Sequence, residues 1–403
     1  MINFYYDILT ERGPVPNGAS YYEMEKHKFI FPYTEEERNC IKPICDFWIT
    51  SVRNQIEPVL YTKAQTAPDL FYPIELLNYY SPKSIVDCIP SKSLKRLKRG
   101  TMKPLLLAQS FIGLGQMSWI KRHADDLFYA GVDPKNIKIV LSDMGNSYRQ
   151  FFSPYRTFSF DWWQVESQLI INGAYDKYEK FLKHQERYIK PSGKKTHLYS
   201  IENKKDSLHG AAIVSELLIR GFSDNIKSPT YDIKYDSRDF RLYDRFRHDE
   251  KNQGKEEAIK KVFDGITCDI QPAHIKIIVQ NYAGGSNDEY LDETFSIFTD
   301  FEIWKAIVDQ QPFVVMGSHQ IMRYLNSQGY FTFQETINEQ YDVMQGFPQR
   351  AEFIVNSLVR LKDIDIEKEI EKQKPFMKVN RARFLQQSHL SKFVSLYDRI
   401  RND

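Results

Sequence analysis

The chain has little cysteine, no long apolar run and almost no net charge, and each shortage removes a class of protein. Its four cysteines in 403 residues, Cys40, Cys45, Cys88 and Cys268, form no CxxC pair. That is too few for a disulfide framework and the wrong spacing for zinc, so no metal is expected and a reducing compartment fits. No run of about eighteen apolar residues occurs, so no membrane contact is expected. The opening MINFYYDIL carries no basic stretch ahead of an apolar one, which argues against a signal peptide and for a soluble cytoplasmic chain. The formal net charge is only +2. No global field therefore draws the molecule onto nucleic acid, and any such affinity must come from local clusters.

What is present is the balance of a globular protein, 42% hydrophobic and 27% charged, at a length of 403 residues that suggests about two domains. Aromatics reach 14%, which first of all means an aromatic-rich core. The first hundred residues are rich in Tyr, Pro and charge, with helices expected near 34–53 and 73–87. The first clear strand signal is the apolar run 104–111, bounded by charge and glycine as a strand buried on both faces would be. A helix over about 117–130 and a β-branched strand over 137–142 complete one βαβ unit.

A basic helical stretch over 176–195, ending in Lys-Pro-Ser-Gly-Lys-Lys, reads as the approach to a domain boundary. A second series follows, with strands at 197–201, 275–280 and 313–316 and helices at 208–221, 299–309 and 319–328. Strands alternating with helices of about ten residues predict a doubly wound parallel sheet in each half. The expected organisation is an N-terminal α/β domain over 1–190, a C-terminal α/β domain over 196–360 and a helical tail over 361–403. Ligands in such sheets bind beyond the carboxyl ends of the strands, in the cleft that two such domains would face.

The segment 298–319 carries the most chemical information. It reads as a helix start with Thr299 as cap and Asp300 and Glu302 in the first turn, behind which a strand ends in Gly317-Ser318. Free amides and a partial positive charge at such a start suit phosphate or ribose hydroxyls, and the acids favour the hydroxyls. Thr299 with Glu302 also fits an ordinary capping box.

This segment resembles the donor-site region of bacteriophage glycosyltransferase-like proteins, which runs Thr-Glu-Lys-x-aromatic-Lys-Pro/Ala-Ile and then Gln/Lys-Pro-Phe-Ile-x-x-Gly. Trp304, Lys305, Ala306, Ile307, Gln311, Pro312, Phe313 and Gly317 match, while Thr299-Asp300-Phe301-Glu302 is one residue longer and lacks the first Lys. Downstream, 324–333 and Tyr341-Asp342 with Arg350 and Ile354 resemble the same family. So does 197–210, whose first loop would face the donor phosphates with Lys204, Lys205 and His209.

The resemblance implies a GT-B-like fold of two Rossmann-like domains facing a cleft. It implies transfer from a nucleoside-diphosphate sugar, a UDP-sugar carrying glucose or arabinose, with no further cofactor. Lys305 would pair with the diphosphate, beside Gly317 and Ser318. The implied acceptor is 5-hydroxymethylcytosine in duplex phage DNA, modified in the host cytoplasm. Basic clusters at 92–103, 177–195 and 238–247 could meet its phosphates, or could simply be solvated faces.

For the base, Asp143 at the end of the 137–142 strand is the candidate, with His123, Asp125 and Asp126 on the preceding helix; a turn-forming Asp is the plainer reading of Asp143. Two alternatives stay open: transfer to protein or a cell-surface glycan, and a non-catalytic DNA-binding protein of the same fold. Oligomeric state and anomeric outcome are not written in these residues.

Overall fold

The computed structural model describes residues 2–4, 9–10, 13–14, 41–43, 61–63, 70–76, 84–108, 114–145, 148–171, 194–202, 208–222, 225–227, 272–280, 297–344, 347–387 and 389–403. The chain divides into two compact units, Met1–Trp162 with Ser388–Asp403, and Trp163–Gln387. Both are α/β units built on a mainly parallel sheet, as the alternation of strands and helices predicts.

In the first unit the strands are β1 (Ile2–Phe4), β4 (Ile41–Pro43), β5 (Tyr61–Lys63), β6 (Leu70–Leu76), β7 (Lys103–Ala108), β8 (Lys138–Leu141) and β9 (Arg156–Ser159); β2 (Leu9–Thr10) and β3 (Gly13–Pro14) form a small separate hairpin. The order is β5-β1-β6-β7-β8-β9, all parallel, with β4 antiparallel on β6. Leu105, Leu106 and Leu107 are fully buried in β7, which is why its sequence is a continuous apolar run rather than an alternation.

Helix α1 (Ser91–Lys98) leads into β7 and α2 (Leu114–Tyr129) leads out of it. Met117, Ile120, Ala124 and Leu127 of α2 are buried, one stripe at helical spacing. Gly131 then turns the chain at a φ of 96°, a conformation that favours glycine. A short helix, α3 (Tyr148–Phe151), precedes β9.

At both described ends the helix expected over 73–87 is replaced: Leu70–Leu76 is a strand with Leu70, Phe71 and Ile74 buried, and Ile85–Cys88 is a 3-10 turn. Pairing with β7 along five residues outweighs local preference, as context often does for short apolar runs. Of the helix expected at 34–53 only Ile41–Pro43 is described, and it is a strand. The basic stretch 176–193 and the irregular segment 228–262 lie outside the described residues.

The second unit holds β10 (His197–Glu202), β11 (Ile226–Lys227), β12 (Ala273–Val279) and β13 (Phe313–Met316), all parallel in the order β11-β10-β12-β13. Its helices are α4 (Trp162–Ile171), α5 (Leu208–Ile219), α6 (Phe301–Val308), α7 (Ile321–Ser327), α8 (Phe347–Leu361) and α9 (Ile366–Gln386). Every residue of α6 from Ile303 to Val308 is buried, so α6 is enclosed on all sides. Trp304 stacks on Phe384 of α9 at 5.3 Å and meets Tyr330 edge-on.

The last helix, α10 (His389–Asn402), returns to the first unit. Arg399 there donates to the Ser159 carbonyl, and Asp403 just beyond it pairs with Lys138. The 361–403 tail is thus divided between the two units. Gln164 and Gln168 of α4 bond to Tyr330, Gln387 and the Phe384 carbonyl, which ties that helix to the second unit.

Candidate functional site

The second sheet changes direction between β10 and β12. From β10 the chain runs to β11 on one side, and it then returns to β12 and β13 on the other. Where strand order reverses, the loops leaving the two neighbouring strands part and open a crevice at their carboxyl ends. The strand ends in question are Glu202 of β10 and Gln280, directly after β12. Lys204 and Lys205 lie outside the described residues. His209 falls in α5, with its side chain outside them.

The described rim of this edge is a knot of polar groups centred on Gln280, which is 1% exposed. Its Nε2 donates to the Phe298 carbonyl at 3.0 Å, and its Oε1 accepts from the Ser318 amide at 2.8 Å. The Ser318 hydroxyl accepts from the Phe298 amide at 3.3 Å, and Arg350, 1% exposed, donates to the Ser318 carbonyl at 3.2 Å. Gly317 is here because nothing larger fits: a Cβ would stand 2.3 Å from Gln280 Oε1 and 2.5 Å from its Cβ.

Asp342 accepts from the amides of Met322 and Arg323 and so caps α7; burial raises its carboxyl above the usual range. Beside this cap His319 is 9% exposed, and its Nε2 is buried without a hydrogen-bond partner. A buried, unpaired imidazole nitrogen carries a desolvation cost that a ligand could relieve.

The structure places the remaining donor-side candidates as follows. The cap of α6 is Asp300, not Thr299: Asp300 accepts from the Ile303 amide at 3.0 Å. Thr299 stands one residue too early, and its buried hydroxyl accepts from the Trp304 indole at 3.0 Å. Glu302 does not complete a capping box; it pairs with Lys276 of β12. Burial is the chief reason that the Asp300 carboxyl is raised to about 6. Lys305 is 9% exposed and its ammonium lies 2.8 Å from Asp309, four residues on along the same chain. Asp300, Gly317 and Ser318 are therefore gathered around Gln280, Thr299 faces Trp304, and Lys305 and Glu302 are engaged in ion pairs.

Asp143 belongs to the first unit. It is fully buried, and its Oδ1 accepts from the Gly145 amide at 2.7 Å, the turn-closing bond that Asp side chains favour. That sheet reverses between β1 and β6, so β8 stands two strands from the reversal, about 10 Å at ordinary strand spacing. His123 is buried in α2, neither ring nitrogen has a partner, and burial pushes it down to about 4. Asp125 pairs with Lys121 and accepts from the Tyr155 hydroxyl.

Gln280 and His319 were not singled out by sequence reasoning. The signal for Gln280 was available: a Gln closing an apolar strand, next to a chain that must approach at a glycine. Among the described residues no group of three His, Cys, Asp or Glu could hold a metal ion, and no helix is long and apolar enough to cross a membrane.

Three solved structures share part of this layout. A trehalose-phosphate synthase (UDP-forming) from Burkholderia vietnamiensis is 10% identical, with 92% of this chain and 81% of that one covered at a TM-score of 0.39. The N-terminal domain of Candida albicans trehalose-6-phosphate phosphatase is 12% identical, with 92% and 77% covered at 0.38. A synthase of the same kind from Burkholderia xenovorans, in complex with glucose-6-phosphate, is 10% identical, with 74% and 72% covered at 0.34. No family model and no curated protein sequence matches the chain.

Proposed function

We propose that the chain is a glycosyltransferase that draws its sugar from a nucleoside-diphosphate sugar held at the carboxyl edge of the second sheet. The observation that carries this reading is the reversal of strand order between β10 and β12, flanked by the rim of Gln280, Ser318 and His319. The resemblance of 197–210 and 298–333 to the donor-site segments of phage glycosyltransferase-like proteins supports this reading.

In this reading Lys204 and Lys205 meet the diphosphate beside Gly317 and Ser318, His319 Nε2 gains a partner, and Thr299 and Asp300 support the rim. Lys305 contributes only if it leaves Asp309. Asp143 is the candidate base. Its place just after β8 requires the acceptor hydroxyl to lie over β7 and β8 rather than over the reversal. The donor is a UDP-sugar of glucose or arabinose, and the acceptor is 5-hydroxymethylcytosine in duplex DNA.

The ion pair of Lys305 with Asp309 favours one second reading, a DNA-binding protein of the same fold without transfer activity. Release of uridine diphosphate, followed with each UDP-sugar and with hydroxymethylated, unmodified and no DNA, separates the two. Release that requires the modified duplex supports the proposal in full. Release that requires a protein or glycan acceptor instead corrects the acceptor, and no release with any donor leaves the DNA-binding reading in place.

A further inference from the structure

The first sheet's opposite edge, where its strands begin, gathers positive charge. Lys103 opens β7, Lys138 opens β8 and Arg156 opens β9, with Lys138 opposite Arg156 in the strand register. Helix α1 ends at this edge, its last turn holding Lys95, Arg96 and Lys98, with Arg99 directly after. Asn136 reaches the turn at Gly100 and brings Lys135 to the same side. Lys95, Lys98, Arg99 and Lys135 are exposed, and none of them forms an ion pair with a described residue.

The opposing acids are few. Asp133 caps the 3-10 turn through the Lys135 amide, and Asp403 pairs with Lys138 and Arg156. Like charges this close oppose folding unless something anionic covers them. Burial and the neighbouring Lys103 and Arg156 push the Lys138 ammonium down, against the pull of Asp403.

Two aromatic rings stand at the same edge. Phe128 and Tyr129 end α2, 43% and 81% exposed, with ring centroids 5.4 Å apart. The apolar side of α1 is already used, since Leu97 is fully buried. That leaves α1 no greasy face to lay into lipid, which membrane-surface helices require. Exposed cations and an open aromatic ring at one sheet edge suit a strand that offers both phosphates and unstacked bases. A duplex offers only the first, because its base faces are covered.

We propose that the amino-terminal edge of the first sheet binds single-stranded nucleic acid, with phosphates on Lys95, Lys98, Arg99 and Lys135 and a base on Tyr129. Within the first sheet this edge is opposite the strand ends that lead to Asp143, so the contact would tether the chain to a polynucleotide rather than present the reacting group. It stands independently of the nucleotide-sugar reading.

The test is fluorescence anisotropy of the full chain with a labelled single-stranded oligodeoxynucleotide of mixed sequence, its duplex, and phosphatidylcholine vesicles containing phosphatidylserine. Binding to the single strand is expected to weaken about 50-fold between about 50 and 200 mM salt if about four phosphates are neutralised. Tyr129→Ala is expected to weaken it about tenfold, as loss of one stacked base does. The triple reversal Lys95→Glu, Lys98→Glu, Arg99→Glu is expected to abolish it while leaving the melting temperature and any nucleotide binding unchanged.

Single-strand binding untouched by the triple reversal would overturn the proposal, and so would no binding at all. Duplex binding as tight as single-strand binding, with Tyr129→Ala silent, removes the stacking role and the proposal with it. Capture by vesicles but not by the oligonucleotide assigns the edge to a membrane instead. Lys95→Gln, Lys98→Gln, Arg99→Gln, which removes charge without reversing it, serves if the reversed chain does not fold.

Discussion

The two units differ in which ionisable groups burial shifts. In the first, where Asp143 is buried as well, the groups most clearly shifted are bases: His123 is pushed down to about 4 and Lys392, facing Asp161, to about 8, both chiefly by burial. In the second they are acids: Asp300 is raised to about 6 and Glu339 to about 7, again chiefly by burial, with Asp342 raised as well. His274 and Lys195 run against this division in the second unit, where burial lowers both, and so does Tyr155 in the first, where burial raises the phenol. The difference teaches that one architecture can be built with opposite responses to pH. It also shows where each unit has accepted a cost, the second at its carboxyl edge and the first beneath its helices.

The signs follow from linkage. A buried histidine with a depressed pKa takes up its proton more readily when unfolded. Its contribution is whole above about 6.5 and is lost as pH falls through about 4. A carboxyl with a raised pKa behaves in reverse. Glu339 contributes most below about 4.5, and that contribution is lost as pH rises through about 7.

The largest effect expected is at Gly317. Gly317→Ala forces a Cβ into Gln280 and breaks the Ser318 bond, at a cost of about 3 kcal/mol, read by urea unfolding. In the first unit Asp143→Asn is expected to cut turnover about 100-fold if Asp143 is the base, with melting little changed. Equal loss of stability and turnover would reduce Asp143 to its turn with Gly145.

The pH pair comes next. His123→Leu should remove about 2–3 kcal/mol of acid sensitivity between about pH 7 and pH 4, at about 1.4 kcal/mol per pKa unit. Glu339→Gln should remove about 2 kcal/mol of the loss between about pH 5 and pH 8. Calorimetry across both ranges checks them, and a shared direction would erase the contrast between the units. Smallest is Gly131→Ala, where open space surrounds the added Cβ and only the positive φ is strained, at about 1 kcal/mol.

The second unit was largely legible in the sequence. Strands at 197–202, 273–279 and 313–316 announce themselves as apolar runs between helices whose caps and glycines are local signals. Gly221 and Gly329, both at positive φ, end helices where a sequence reader would place them. The first unit's opening was not legible. β1, β4 and β5 are three residues each, too short for a periodic signal, and β6 carries Pro73 and charge.

The site was half legible for the same reason. Gly317 and Ser318 follow a strong strand, so their place at a strand end can be read. The partner of Lys305 is Asp309, four residues away, and an i, i+4 pair is visible in any sequence once the helix is believed. What no local pattern gives is Gln280 reaching Ser318 across 38 residues. Nor does it give the order of strands that decides where a crevice opens.

The most direct test is a thermal-shift comparison of the wild type, His319→Ala and Lys305→Ala with uridine diphosphate and UDP-sugars. A ligand that binds only the folded chain raises its melting temperature, by about 2.7 kcal/mol of stabilisation at a hundredfold excess over Kd. The account predicts a rise in the wild type that His319→Ala diminishes and Lys305→Ala leaves largely intact, because Lys305 is held by Asp309. No shift with any nucleotide would contradict the claim that this edge holds a nucleotide sugar.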